Sequence, residues 1–171
     1  MPKKKNIPKP ATTLEVAASQ DAGLVELGEI VELLSVQIVS LVLPPFEGDI
    51  KFIEDVVAYT FEIGTRPQSS ADYYFRFFVD IACIIHFKDD ATLRTTAQSV
   101  TVFKVLPPVE KSKEFKLSML PKHIVQAAIG IAYSTTRGLY LAKCSGTILQ
   151  GAMLPIIAPI NLMTDSRVLT K

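Results

Sequence analysis

Alternation of apolar and polar positions is clearest between residues 73 and 87. Tyr73, Phe75, Phe77, Val79, Ile81, Cys83, Ile85 and Phe87 occupy every second position. A period of two is that of an extended strand with one face in a core. Val57, Tyr59, Phe61 and Ile63 repeat the pattern upstream, with Ala58, Thr60 and Glu62 on the other face. Residues 64–72 (Gly-Thr-Arg-Pro-Gln-Ser-Ser-Ala-Asp) read as a loop by composition. Lys88-Asp89-Asp90 reads as the turn into a further strand over 93–106, stopped by Pro107-Pro108. Residues 35–43 are dense in Val, Ile and Leu and end at Pro44-Pro45, which favours a first strand. Leu24, Leu27, Val31, Leu34, Ile38 and Leu41 also keep helical spacing, so a helix stays open upstream.

After a charged linker at 110–116 the period changes, and residues 120–143 read as one long helix. A Ser145-Gly146-Thr147 turn follows, then the run Leu154-Pro155-Ile156-Ile157-Ala158-Pro159-Ile160-Asn161-Leu162. Two prolines four residues apart exclude a helix and a central strand. The run therefore reads as an extended apolar arm that needs burial or a partner. Strands first and a helix afterwards predict an α+β fold. Its parts are a four-stranded antiparallel sheet in a meander, a long helix and an extended proline-containing crossover. Residues 1–28 read as an N-terminal arm, weakly ordered or a short helix, and 29–171 as one folded domain.

Composition narrows the function classes. The chain has 171 residues, 49% of them apolar and 20% charged, which suffices for one sizeable core. A net charge of +1 supplies no general attraction to nucleic acid. The local basic bias of Lys3-Lys4-Lys5 and Lys9, among Pro2, Pro8 and Pro10, reads as a solvated terminus, with a basic binding arm as the alternative. No secretory pattern is visible behind it, and residues 24–43 are interrupted by Glu26, Glu29 and Glu32, so they do not read as a membrane span. Two cysteines, Cys83 and Cys144, read as reduced core thiols, and the expected compartment is the cytoplasm.

Candidate chemistry is sparse. His86 and His123 are the two histidines, and neither has a second ligand at metal spacing, so no metal and no cofactor are expected. There is no nucleophile elbow, phosphate loop or dinucleotide fingerprint. Cys144 sits at a helix C-terminus, the wrong end of the dipole for a thiolate. The chain does not read as an enzyme. Surfaces are more informative. The second face of the 73–87 strand carries Tyr74, Phe78 and Ile84 among Arg76, Asp80 and His86. That face is either covered by an N-terminal segment or a neighbouring subunit, or left exposed for partners. On the helix, Gly130, Ser134, Gly138 and Ala142 recur at i+4. A helical glycine costs about 1 kcal/mol relative to alanine. The stripe thus argues for close backbone approach, to the chain's own sheet or to the same helix of another subunit. Ile131, Leu139 and Leu141 beside it favour self-association.

The order of elements, together with Ser145-Gly146-Thr147-Ile148, Ala158-Pro159-Ile160-Asn161 and Tyr133-Ser134-Thr135-Thr136-Arg137, resembles the SecB family of protein-export chaperones over residues 31–163. The resemblance implies a homotetramer, a dimer of dimers with the long helices at the interface, where Gly130, Ser134, Gly138 and Ala142 would lie. It also implies an ATP-independent holdase that keeps unfolded or precursor polypeptides in long apolar grooves. On that reading Tyr74, Phe78 and Ile84 of the sheet, Leu139 of the helix, and Leu154, Ile156 and Ile157 of the crossover would bind the client. Three departures stand out. Two extra residues lie between Thr147 and Pro155, and only residues 164–171 follow Met163, leaving a second helix very short or absent. The acidic sheet residues through which family members dock the SecA motor are not recognisable, one of them falling near Thr95-Thr96-Ala97-Gln98. The alternatives are a chaperone dedicated to one partner, such as the antitoxin of a toxin–antitoxin pair, and a structural oligomer subunit without clients.

Overall fold

The computed structural model describes residues 31–43, 54–70, 73–106, 116–163 and 167–170. The arm expected at 1–28 and most of the linker expected at 110–116 lie outside the described residues. In chain order the elements are β1 (Val31–Val42), β2 (Val56–Ser69), β3 (Tyr74–Phe87), β4 (Thr92–Val105), a 3₁₀ turn (Leu117–Met119), α1 (Lys122–Cys144), α2 (Pro159–Leu162) and β5 (Arg167–Thr170). The sheet runs β1-β4-β3-β2-β5 and every pairing is antiparallel. The α+β class, the four long strands and the long helix are as the sequence predicts. The meander covers β2 to β4, and β1 returns beside β4. The open edge of β2 carries Pro67, which has no N–H to give, whereas no proline interrupts β4.

Alternation on β3 does what a period of two requires. Phe75, Phe77, Val79, Ile81, Cys83 and Ile85 are all buried on one face. Phe103 of β4 stacks on Phe75 with ring centroids 5.1 Å apart, and Phe77 meets both rings edge-on at 5.5 and 6.1 Å. Over this face lies α1, which buries Ile124, Val125, Ala128, Ile129, Ala132, Tyr133, Thr136, Tyr140 and Cys144. That spacing gives an apolar helical stripe. One polar contact fixes its register. Thr136 donates to the Ala132 carbonyl at 2.7 Å and its hydroxyl pairs with the buried Ser99 hydroxyl of β4.

Four local expectations change. Strand β1 begins at Val31, so the helical alternative fails from there onward. Its ladder slips between Leu33 and Ser35 and between Ile38 and Ser40. Each bulge resets the in–out alternation, and this is why its sequence carries a mixed period. Strand β2 runs on through most of the loop expected at 64–72, and its residues 64–69 pair one by one with residues 75–80 of β3. Val57 is exposed, not inward, because the ladder slips between Val56 and Ala58. Pro159 opens α2 at its first turn, where a missing N–H costs nothing, so the crossover is extended only up to Ala158. Among the described residues no helix is long and apolar enough to cross a membrane.

Candidate functional site

The helix ends in a tight turn. Gly146 takes a positive φ of 75°, and the Thr147 hydroxyl donates to the Cys144 carbonyl at 2.7 Å. The chain then re-enters the core through Ile148, Leu149, Ala152 and Leu154, all buried. Tyr59 of β2 donates to the Ile148 carbonyl at 3.0 Å. Beyond Leu154 the crossover runs beside α1 until Leu162 is buried again and its carbonyl accepts from the Thr65 hydroxyl.

Between those anchors the segment is apolar and turned outward. Leu154 is 1% exposed but Ile156 is 87% exposed, and Met153, Ile160 and Met163 along the same stretch of chain are exposed too. Backbone directly before Ile156 is held by α1. Tyr133 donates to the Pro155 carbonyl at 2.7 Å and the Arg137 Nε donates to the Leu154 carbonyl at 2.8 Å. Burial pushes the Tyr133 phenol up to about 12, so it stays a donor across the physiological range.

The structure divides the residues that the sequence groups into one groove. Leu139, Leu154, Ile156 and Ile157 lie in the helix layer, whereas Tyr74, Phe78 and Ile84 are on the opposite face of the sheet. Leu154 is a core side chain and offers the surface only its carbonyl, already taken; Leu139 and Ile157 are half-buried. On the sheet face Tyr74, Phe78 and Ile84 are likewise half-buried, and the Arg66 guanidinium lies 5.4 Å from the centroid of the Phe78 ring. Between Phe78 and Ile84 the face is a polar basin of about 590 Å³ lined by Glu62, Gly64, Arg66, Asp80, Arg94, Gln98 and Met163 among others. Its charges are paired: Arg66 with Asp80 at 2.7 Å and Arg94 with Glu62 at 2.6 Å, while Gln98 donates to Asp80 at 2.6 Å. The sheet face is therefore not a continuous apolar groove. The basin is invisible in sequence because its members come from four strands.

The Arg66 hydrogen bond holds the Asp80 carboxyl below the usual carboxylate range. A depressed carboxyl stabilises the fold above its unfolded value and loses that contribution as pH falls through the folded one. The pair is exposed, so the effect is expected to be under about 1 kcal/mol. In urea titrations between pH 6 and pH 3, Asp80→Asn should lose less stability than the parent chain. Equal losses would show that Asp80 gains nothing from its partners.

Along α1 the small-residue stripe splits in two. A Cβ on Gly130 would stand 3.0 Å from Pro159 Cγ, so that glycine is small to admit α2 of the same chain. At Gly138 an added Cβ meets nothing within 4 Å, and Ser134 and Ala142 are exposed as well. Within a single chain Gly138→Ala is thus expected to stabilise the fold by about 0.5–1 kcal/mol, and Gly130→Ala to gain less or to lose; a copy of the chain packed on the stripe would remove the gain at Gly138. Urea unfolding of both variants is the check. A loss at Gly138 as large as that at Gly130 would mean that another surface covers the stripe.

Cys83 and Cys144 are free and buried close to the Tyr140 phenol; burial pushes the Cys83 thiol up to about 12 and raises Cys144 too, the opposite of what a nucleophile needs. His123 is exposed on α1, and His86 shares a 2.9 Å hydrogen bond with Thr60. Among the described residues no three His, Cys, Asp or Glu side chains cluster as a metal site would need.

No protein-family model matches the chain, and no curated protein sequence matches it. Solved structures do. One is the SecB-like chaperone Rv1957 of Mycobacterium tuberculosis, in complex with a ChAD peptide from the HigA1 antitoxin Rv1956. It superposes with a TM-score of 0.51 at 9% sequence identity, over 76% of this chain and 89% of that one. The chain has the fold of a SecB-like chaperone.

Proposed function

We propose that this protein is an ATP-independent holdase that captures non-native polypeptide on its exposed crossover. The observation that carries the reading is the outward apolar turn at Ile156, 87% exposed and following directly on two successive carbonyls that α1 holds. Solvent exposure of one aliphatic side chain is ordinary. A short anchored segment that exposes Ile156 together with Met153 and Ile160 is the kind of surface that binds partners. Met adapts to varied apolar shapes, which suits a surface with many clients. The bound chain would be an extended aliphatic or aromatic stretch, gaining about 1.5–3 kcal/mol for each large side chain it buries. Leu139 and Ile157, half-buried beside the crossover, would form the floor of that surface. Tyr74, Phe78 and Ile84 would make a second, smaller contact across the sheet.

Self-association fits the same reading. The exposed part of the stripe (Ser134, Gly138, Ala142) would admit a second copy of α1, with Gly130 excluded because Pro159 fills its space. Among the described residues strand β1 adds an open edge, with Leu33, Leu34, Val39 and Val42 exposed. Such an edge is normally paired or protected. A homotetramer would cover both surfaces, and Gly138→Leu should split it. SecA docking finds no support in the polar basin, where Glu62 and Asp80 are both paired with arginines.

The test is light-scattering mass of the pure protein, alone and with reduced, carboxymethylated lactalbumin as a permanently unfolded polypeptide. A defined oligomer that gains the mass of the polypeptide supports the holdase. An oligomer that ignores it favours the second reading, a chaperone dedicated to one partner. That alternative draws on the antitoxin peptide bound by the structural neighbour. An oligomer that ignores both unfolded protein and candidate antitoxins would be a structural subunit.

A further inference from the structure

We infer that Tyr133 and Arg137 are positioning residues that set the rotation of the crossover about its own axis, so that Ile156 projects as a ready-made anchor for an extended apolar segment. The inference deepens the capture reading and rests on it for its functional half. The carbonyls of Leu154 and Pro155 are successive, and both are occupied by donors from α1, at 2.8 and 2.7 Å. Holding one carbonyl would leave the segment free to roll about that bond; holding two successive ones does not. The donors are four residues apart on α1 and so lie one helical turn apart on a single face.

Covalent geometry works the same way. Pro155 locks its own φ, and Leu154 and Ala158, each preceding a proline, are confined to extended conformations. Ala158 indeed sits at φ −64° and ψ 135°. At the far end Pro159 packs on Gly130. Residues 154–159 are thus ordered before any client arrives. Ordering a loop at the moment of binding subtracts from affinity, so a crossover already set in place binds more tightly. Of the two donors Arg137 makes the charge-assisted bond, generally the stronger kind.

The experiment uses the full chain with two readouts. The first is a nitroxide attached at Ile156→Cys, with the buried Cys83 and Cys144 left unlabelled, and its mobility is recorded without client. Adding Tyr133→Phe and Arg137→Met should make the label markedly more mobile, and Arg137→Lys should restore part of the restraint. The second is anisotropy of fluorescein-labelled, reduced and carboxymethylated lactalbumin, in chains that keep Ile156. There Tyr133→Phe with Arg137→Met should weaken binding about tenfold, or roughly 1.4 kcal/mol. In an Ile156→Ala background the same pair should cost little, since the anchor they position is gone. An unchanged label in the variants overturns the positioning role whether or not the polypeptide binds. A mobile label with unaltered affinity shows that Ile156 needs no positioning and overturns the functional half. A parent chain that ignores the polypeptide removes the capture reading, while the label alone still decides whether the two donors hold the crossover.

Discussion

Ile156→Asp is expected to weaken capture of unfolded polypeptide at least tenfold while leaving the stability of the fold nearly untouched. The side chain is 87% exposed, so the folded chain loses few contacts when it is replaced, and such surface changes fall within about 0.5 kcal/mol. Binding is another matter. An isoleucine that becomes buried against a client contributes about 1.5–3 kcal/mol, and an aspartate in its place loses this and must also be desolvated without a partner. Each 1.4 kcal/mol is about tenfold in affinity. Anisotropy with a labelled unfolded polypeptide and urea unfolding, measured on the same preparation, separate the two effects. Phe78→Asp is the matched control on the opposite face of the sheet. Parent-like binding by the Ile156→Asp chain, together with failure of Phe78→Asp, would move the site to the sheet.

Phe103→Ala should have the largest effect on stability. The ring is 1% exposed, stacks on Phe75 at 5.1 Å and meets Phe77 at 6.1 Å. Truncating a buried phenylalanine costs about 3–5 kcal/mol, through lost transfer energy and the cavity left behind. The stacked and edge-on pairs are included in that cost, at about 0.5–1.5 kcal/mol each. Domains of this kind are stable by only about 5–15 kcal/mol, so the variant should approach the limit of folding. The urea midpoint gives the answer. A cost below about 2 kcal/mol would mean that the helix and sheet close over the gap, and that the aromatic cluster is not the centre of the core.

The parts of the fold legible in sequence are those where one physical preference acts alone. Strand β3 is buried on one face along its whole length, and its alternation shows plainly from Phe75 to Ile85. The long helix carries an uninterrupted apolar stripe and no proline, so it falls within two residues of its predicted ends. Strand β1 is ambiguous in sequence because its two bulges reset the alternation. The end of β2 resembles a loop because Gly64, Pro67, Gln68 and Ser69 are turn formers, yet pairing with β3 outweighs local preference there. Strand β5, at Arg167–Thr170, leaves no sequence signal, since four residues hold too little pattern to read.

The site is legible as an arm and illegible as a surface. The spacing of Pro155 and Pro159 marks the crossover, but which of Leu154, Ile156 and Ile157 faces water depends on the helix beside it. Leu154 faces in and Ile156 out because Arg137 and Tyr133 hold the intervening carbonyls. Those two residues stand at a helical i, i+4 spacing, the one sequence signal that they share a task. Tyr74, Phe78 and Ile84 alternate correctly on β3, but alternation cannot show that Arg66 from β2 lies over Phe78, or that two ion pairs fill the space between Phe78 and Ile84.

Photocrosslinking from the crossover tests the central claim most directly. Benzoylphenylalanine would be placed at position 156 of the full chain, and the protein illuminated with reduced, carboxymethylated lactalbumin present. A covalent adduct carrying the mass of the unfolded polypeptide is the expected result. Adducts formed only between copies of the chain, or obtained with the client from position 78 and never from 156, would contradict it.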